Sequence, residues 1–138
     1  MATVIRKIDY YATTVPDKAG EGHRILSELA REGVNLLAFS GFPVGDGKAQ
    51  VDLVPEHAVD FGAAAERIKL KTRKPKRALF VQGDDDRVGA VAEIVGKLAA
   101  AKIPIVAAQA LSAGLGRWAM IVWVSPARWE KACHALGV

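Results

Sequence analysis

The sequence predicts an α+β protein built of two similar halves, each an antiparallel sheet with helices on one face. Three observations predict it. The chain matches itself when shifted by 69 positions; in each half the apolar period runs from strand to helix and back in the same order; and 51% apolar residues in 138 supply a core without the composition of a disordered or disulfide-stapled chain.

The shift lays Asp17 on Asp86, Gly20 on Gly89, Ile25 on Ile94, Leu29 on Leu98, Ala30 on Ala99, Ala38 on Ala107, Gly45 on Gly114 and Gly47 on Gly116. Leu26 and Val95, Val34 and Ile103, and Leu36 and Ile105 keep apolar character, so the halves bury matching faces. In the first half Ile8, Tyr10 and Ala12 alternate as a strand; Ile25, Leu26 and Leu29 recur at helical spacing until Gly33. Residues 34–40 read as a second strand. Ala49, Val51 and Leu53 alternate with polar neighbours as a third, joined to it by a turn at Gly45-Asp46-Gly47. An Ala-rich helix follows over 58–68, and 69–73 is expected to return as a short strand. The second half repeats this as strand 77–83, helix 87–101, strands 103–111 and 118–124, and helix 126–136. The order is βαββα(β) twice, a ferredoxin-like sandwich in each half, with domains 1–74 and 75–138. Halves of about 69 residues bury too little to stand comfortably alone, so they are expected to pack together or against a second chain.

Net charge is +4, which alone would favour an anionic partner. Six of the cations, Lys69, Lys71, Arg73, Lys74, Lys76 and Arg77, lie in one stretch, and without them the chain is at −2. The basicity belongs to a connector, where Lys and Pro deter strand addition. The single cysteine, Cys133, excludes an intramolecular disulfide, and MATVIRKIDYY has no apolar run of secretory-signal length, so the cytoplasm is the expected compartment. The most apolar stretch, 103–116, contains Pro104 and is shorter than the about 20 residues a membrane span needs.

The repeated element is strand, Asp-(Lys/Arg)-x-Gly, helix, (Gly/Lys)-(Val/Ile)-x-(Leu/Ile), strand, as in PDKAG with REGVNLLAF and DDRVG with AAKIPIVAA. It resembles the ACT domain, the small ligand-sensing module of amino-acid metabolism, here in a stand-alone tandem form. The resemblance covers nearly the whole chain and implies βαββαβ repeats, side-by-side pairing or dimerisation, a regulated partner protein, and an amino acid or similar metabolite bound near the first strand–helix loop. The second copy matches better: Val91 stands two places after Gly89, where the first copy has Gly22.

The loop chemistry can also be argued from the residues. Asp17 and Asp86 are placed to cap a helix, and Gly20 and Gly89 leave first-turn N–H groups open to an anion. An adjacent carboxylate would hold an ammonium group, which together match the charged ends of an α-amino acid. The expected ligand-binding residues are therefore Asp17, Ala19, Gly20 and Asn35 in one half and Asp86, Val88, Gly89 and Gln109 in the other.

Other motifs fail on chemistry. GFPVGDGKAQ lacks the glycine and hydroxyl of a phosphate loop at Phe42 and Ala49 and joins two strands. His23, His57 and His134 lie in different elements, and Asp84-Asp85-Asp86 lacks further ligands, so no metal site is expected. Cys133 and His134 diverge by about 100° on a helix. No catalytic residues, no cofactor and no enzymatic activity are expected. The alternatives are a pure interaction module and an RNA-recognition motif, which shares the element order. Phe80 and the stretch from Trp118 to Trp123 partly fit the RNA signatures, but Met120 stands where an aromatic is needed and Arg117 where a glycine is. Nucleic acid and membrane are therefore not expected partners. Trp118, Met120 and Val122 alternate with Ile121 and Trp123, so both faces of that strand are apolar; the second repeat is the expected association surface of a homodimer.

Overall fold

Period-two segments and helical segments alternate along the chain, and each period becomes the element it favours. The computed structural model describes residues 3–138; Met1 and Ala2, where the expected first domain begins, lie outside the described residues. The elements are β1 (Thr3–Pro16), α1 (Glu21–Arg31), β2 (Leu36–Gly45), β3 (Lys48–Pro55), α2 (Ala58–Arg67), β4 (Lys76–Gly83), α3 (Ala90–Ala100), β5 (Ala107–Gly114), β6 (Arg117–Trp123) and α4 (Trp129–Leu136), the last preceded by a 3₁₀ turn at Pro126–Arg128. The architecture is α+β with ACT-like βαββαβ repeats. The chain divides into two compact units: Asp9–Lys76, the first unit, and Arg77–Val138 with the segment ending at Ile8, the second.

In the first unit the antiparallel order is β2-β3-β1, with Tyr11 opposite Leu53, Val15 opposite Ala49 and Ser40 opposite Asp52. Alternation sends Val15, Val51 and Leu53 to the helix side, where they pack with Ile25, Leu29, Phe61 and Ala65. The Tyr11 ring lies 4.4 Å from that of Phe61. The strand expected at 69–73 does not form. Lys69 adopts φ 57°, which turns the chain, and Lys69 and Leu70 N–H close back on the Glu66 and Ala65 carbonyls; toward β1 the segment makes isolated bonds, Arg73 N–H to the Ala12 carbonyl (2.8 Å), the Thr13 hydroxyl to the Lys71 carbonyl (2.7 Å) and the Arg73 guanidinium to the Thr14 hydroxyl (2.6 Å).

In the second unit residues 3–8 of β1 stand beside β4 in the order β1-β4-β6-β5. Leu79, Val81, Trp118, Met120 and Val122 turn to the helices and meet Ile94, Leu98, Trp129, Cys133 and Leu136. Ile121 and Trp123 on the other face are buried as well, so both faces of β6 are apolar and covered. The open element is β5, all eight residues of which are exposed.

The same backbone devices recur 69 residues apart. Each hairpin closes through a two-residue turn with both φ positive, Asp46-Gly47 and Leu115-Gly116, the type I′ geometry that matches strand twist. After α1 the Val34 N–H reaches the Leu29 carbonyl, and after α3 the Ile103 N–H reaches the Leu98 carbonyl, each 3.0 Å, around Gly33 and Lys102 in the left-handed region. The second of these, with Pro104, delays β5 to Ala107, four residues beyond the expected start.

Candidate functional site

The strand–helix loop of each unit is tied to the hairpin turn beside it. Asp17 N–H donates to the Gly47 carbonyl (2.8 Å), and Asp86 N–H to the Gly116 carbonyl (3.1 Å). Neither aspartate caps its helix. The N-cap residues are Gly20 (φ 97°) and Gly89 (φ 88°), with no side-chain capping bond, so the helices start four residues after the aspartates and α3 starts at Ala90 instead of 87. A capping side chain must stand immediately before the helix, and a turn through residues 18–19 or 87–88 intervenes. The glycines are there for the left-handed backbone: a Cβ at either would meet nothing within 4 Å.

Asp17, Ala19 and Gly20 lie together on an exposed loop, as do Asp86, Val88 and Gly89. The Asp86 carboxylate accepts the Ser112 hydroxyl from β5 at 2.9 Å. Asn35 is not brought to the first loop; it sits past the other end of α1, about 16 Å along an eleven-residue helix. There it lines a cavity of about 330 Å³ with His57, Asp60 and Arg67. Gln109 pairs with Ile121 and so faces away from the helices, whereas Ser112, opposite Trp118, faces them.

Sequence reasoning missed the residues that wall the cavity nearest the second loop. About 270 Å³ is enclosed by Asp85, Arg87, Ala90, Glu93, Ile94 and Lys97, with Trp118, Leu136, Thr3 and Ile5. Arg87 ion-pairs with Glu93 and with Asp85 (3.4 Å), and the Glu93 hydrogen bond, followed by its charge, pushes the guanidinium pKa up. Lys97 has no ion-pair partner among the described residues. Trp118 is 6% exposed, and its indole N–H is buried without an acceptor among the described residues. The ring lies over Gly83, its cross-strand partner, so closely that a Cβ there would stand 2.1 Å from Nε1. Trp118 also walls a cavity of about 430 Å³ with Gly83, Asp84, Ala113 and Arg117. The only available signal was Gly83 and Trp118 themselves, and their pairing depends on strand register.

The first loop differs in charge. Its helix opens on Glu21, whose carboxyl is held below the ordinary range by a hydrogen bond from Arg24 (3.3 Å). The RNA-type surface is missing its platform: Phe80, Trp118 and Met120 are all buried, the last two under the helices. Among the described residues no cluster of three metal-ligating side chains occurs, and no helix is long and apolar enough to cross a membrane.

No family model and no curated protein matches the sequence. Solved structures do match. A Bacteroides thetaiotaomicron protein aligns with TM-score 0.79 at 15% identity, over 96% of this chain and 88% of that one. The ligand-free regulatory subunit of aspartate kinase from Thermus thermophilus aligns with TM-score 0.64 at 14% identity, over 98% and 94%. The Thermus flavus regulatory subunit gives TM-score 0.61 at 14% identity, over 99% and 95%. At these identities the likeness is one of fold.

Proposed function

We propose that this chain is a non-catalytic regulatory protein of two ACT-like repeats, 1–74 and 75–138, that senses a small zwitterionic metabolite, an amino acid in the simplest case, and self-associates. The likeness in fold and length to aspartate kinase regulatory subunits supports a regulatory role. The observation that carries the ligand reading is the buried Trp118 N–H, without an acceptor among the described residues, in the wall of a cavity that also holds Lys97, which has no ion-pair partner among them. An orphaned buried donor costs about 1–3 kcal/mol, which a ligand carboxylate can recover by drawing the indole to it. Lys97 supplies the opposite charge, and Asp85 and Glu93 supply acceptors for an ammonium group. Asp86, Val88 and Gly89 belong to the loop that brings Asp85 and Arg87 to the cavity; Asp17, Ala19 and Gly20 are the corresponding loop of the first repeat, where Glu21 competes for an anion's place. Ligand binding regulates a partner by differential affinity for two states.

The test is a thermal-shift screen of the twenty amino acids, read also by tryptophan fluorescence. A ligand at 100 times its Kd stabilises by about 2.7 kcal/mol. We expect a concentration-dependent shift with one or a few of them, abolished in Lys97→Ala and weakened in Trp118→Phe. Absence of any shift in folded protein would leave the loops as structure and the chain as an interaction module.

A further inference from the structure

We propose that the basic connector from Lys69 to Lys76 is the docking site for an acidic segment of a partner protein, which lies extended along it. The proposal rests on the reading of this chain as the regulator of a partner and is independent of the metabolite.

The charge is segregated. Of the twenty charged residues in the first unit, the five within 69–76 are all basic, and the other fifteen, ten acidic and five basic, stand at −5. Lys69, Lys71, Arg73, Lys74 and Lys76 are all exposed, and none has an ion-pair partner among the described residues. Charges of either sign, interspersed, would keep a connector solvated. Cations set this close together repel one another, and on a unit that is otherwise acidic their concentration in one line steers an anionic partner to that line.

The segment is also held in place. Leu70 packs against the core of the unit; the Thr13 hydroxyl donates to the Lys71 carbonyl (2.7 Å), the Arg73 N–H to the Ala12 carbonyl (2.8 Å) and the Arg73 guanidinium to the Thr14 hydroxyl (2.6 Å). Binding therefore has little of this chain left to order. Lys71 and Arg73 both turn their backbone to β1, as alternate residues of an extended chain do, and such residues recur about 7 Å apart. An extended partner segment repeats its carboxylates at the same distance. Lysines that deter an unselected strand at this edge thus favour an acidic one, because opposite charges across neighbouring strands attract.

The surroundings select the occupant. Single-stranded nucleic acid also presents anions in a line, but it gains further affinity by stacking on aromatic side chains, and residues 69–76 contain none. A membrane surface takes up apolar side chains beside the cations, whereas Leu70, the one large apolar residue here, is turned into the core. Nor does the chain supply the occupant itself. Its one run of consecutive acids, Asp84-Asp85-Asp86, is engaged, Asp85 with Arg87 and Asp86 with Ser112. The segment that fits belongs to another protein.

Fluorescence anisotropy of the full chain with a labelled, end-blocked (Glu-Thr)5 peptide tests this in about 0.15 M salt, where exposed charges more than about 8 Å apart are screened. Wild type is expected to bind the peptide, and more tightly than it binds hexauridylate, which carries the same number of charges. Lys71→Glu combined with Lys74→Glu should raise the dissociation constant by about tenfold or more while thermal melts stay within a few degrees of wild type. Lys48→Glu combined with Lys131→Glu makes the same change in net charge elsewhere and should alter it by less than about twofold. Absence of peptide binding by wild type, hexauridylate bound as tightly as the peptide, or equal losses in the two double variants overturns the docking site. Peptide binding without a thermal shift from any amino acid upholds the docking site and removes the metabolite reading; a thermal shift without peptide binding does the reverse.

Discussion

The two units place different residues at the same cross-strand position. In the first, Val15 faces Ala49; in the second, Gly83 faces Trp118. Ala49 and Trp118 are 69 residues apart, but Val15 and Gly83 are 68 apart, because the loop after β4 carries one residue more, among the three aspartates. Each pair combines a larger and a smaller side chain in reversed roles. What the exchange teaches is that one unit closes its sheet end with aliphatic packing while the other spans it with an indole that leaves cavities on either side and a donor unpaired. A duplicated scaffold can thus hold one copy as structure while the other is free to acquire a site.

The largest test breaks the exchange. Trp118→Ala should cost about 3–5 kcal/mol in urea unfolding, and Gly83→Val, which forces the ring away, about 1–3 kcal/mol. The double variant restores the first unit's pairing of Val with Ala and should fall short of the sum by about 0.5–3 kcal/mol. Additive losses would mean that the two positions are not one packing unit. Next in size, Gly20→Ala and Gly89→Ala should cost about 1 kcal/mol each, since both lie in left-handed backbone with open space around Cβ. A much larger loss at Gly89 would reveal a close approach peculiar to the second loop.

Smaller and opposite in sign are substitutions that give the second unit the first unit's turn residues. Lys102→Gly and Leu115→Asp replace side chains held at φ 58° and 56°, and each should stabilise by about 0.5–1 kcal/mol, a rise of a few degrees in Tm. Smallest is a pH effect confined to α1. Glu21 has a depressed pKa, so its contribution is present above the unfolded carboxyl value and fades as pH falls through the folded one. Amide protection factors at the start of α1 should fall on acidification, and Glu21→Gln should remove that dependence; α3 begins with Ala90 and lacks a carboxylate at this place.

Most of the architecture was legible because it rests on local pattern. Alternation at Ala49, Val51 and Leu53 fixes a strand face, and the Gly-x-Gly turns fix both hairpins. Helix starts were displaced because Asp17 and Asp86 resemble caps in sequence while the left-handed conformation of Gly20 and Gly89 decides where winding begins. Asn35 and Gln109 follow the loops in sequence, but helix length and strand parity carry them away from those loops. The wall of Arg87, Lys97 and Trp118 joins residues from a loop, a helix and a strand, and no linear spacing encodes it. The 69–73 strand failed on backbone grounds, a positive φ at Lys69, that alternation alone does not register.

The division of β1 bears on how the chain is made. Residues 9–76 contain everything the first unit needs and are complete as soon as Lys76 has been synthesised, whereas the second unit takes its outer strand from residues 3–8, the first described part of the chain. That opening segment must stay unpaired while nearly seventy further residues are added, and it finds its place only when β4 has emerged. A gene cut between residues 74 and 75 would therefore express a second half that lacks a strand, and a permuted chain that moves residues 3–8 behind Val138 would be the shorter route to the same sheet.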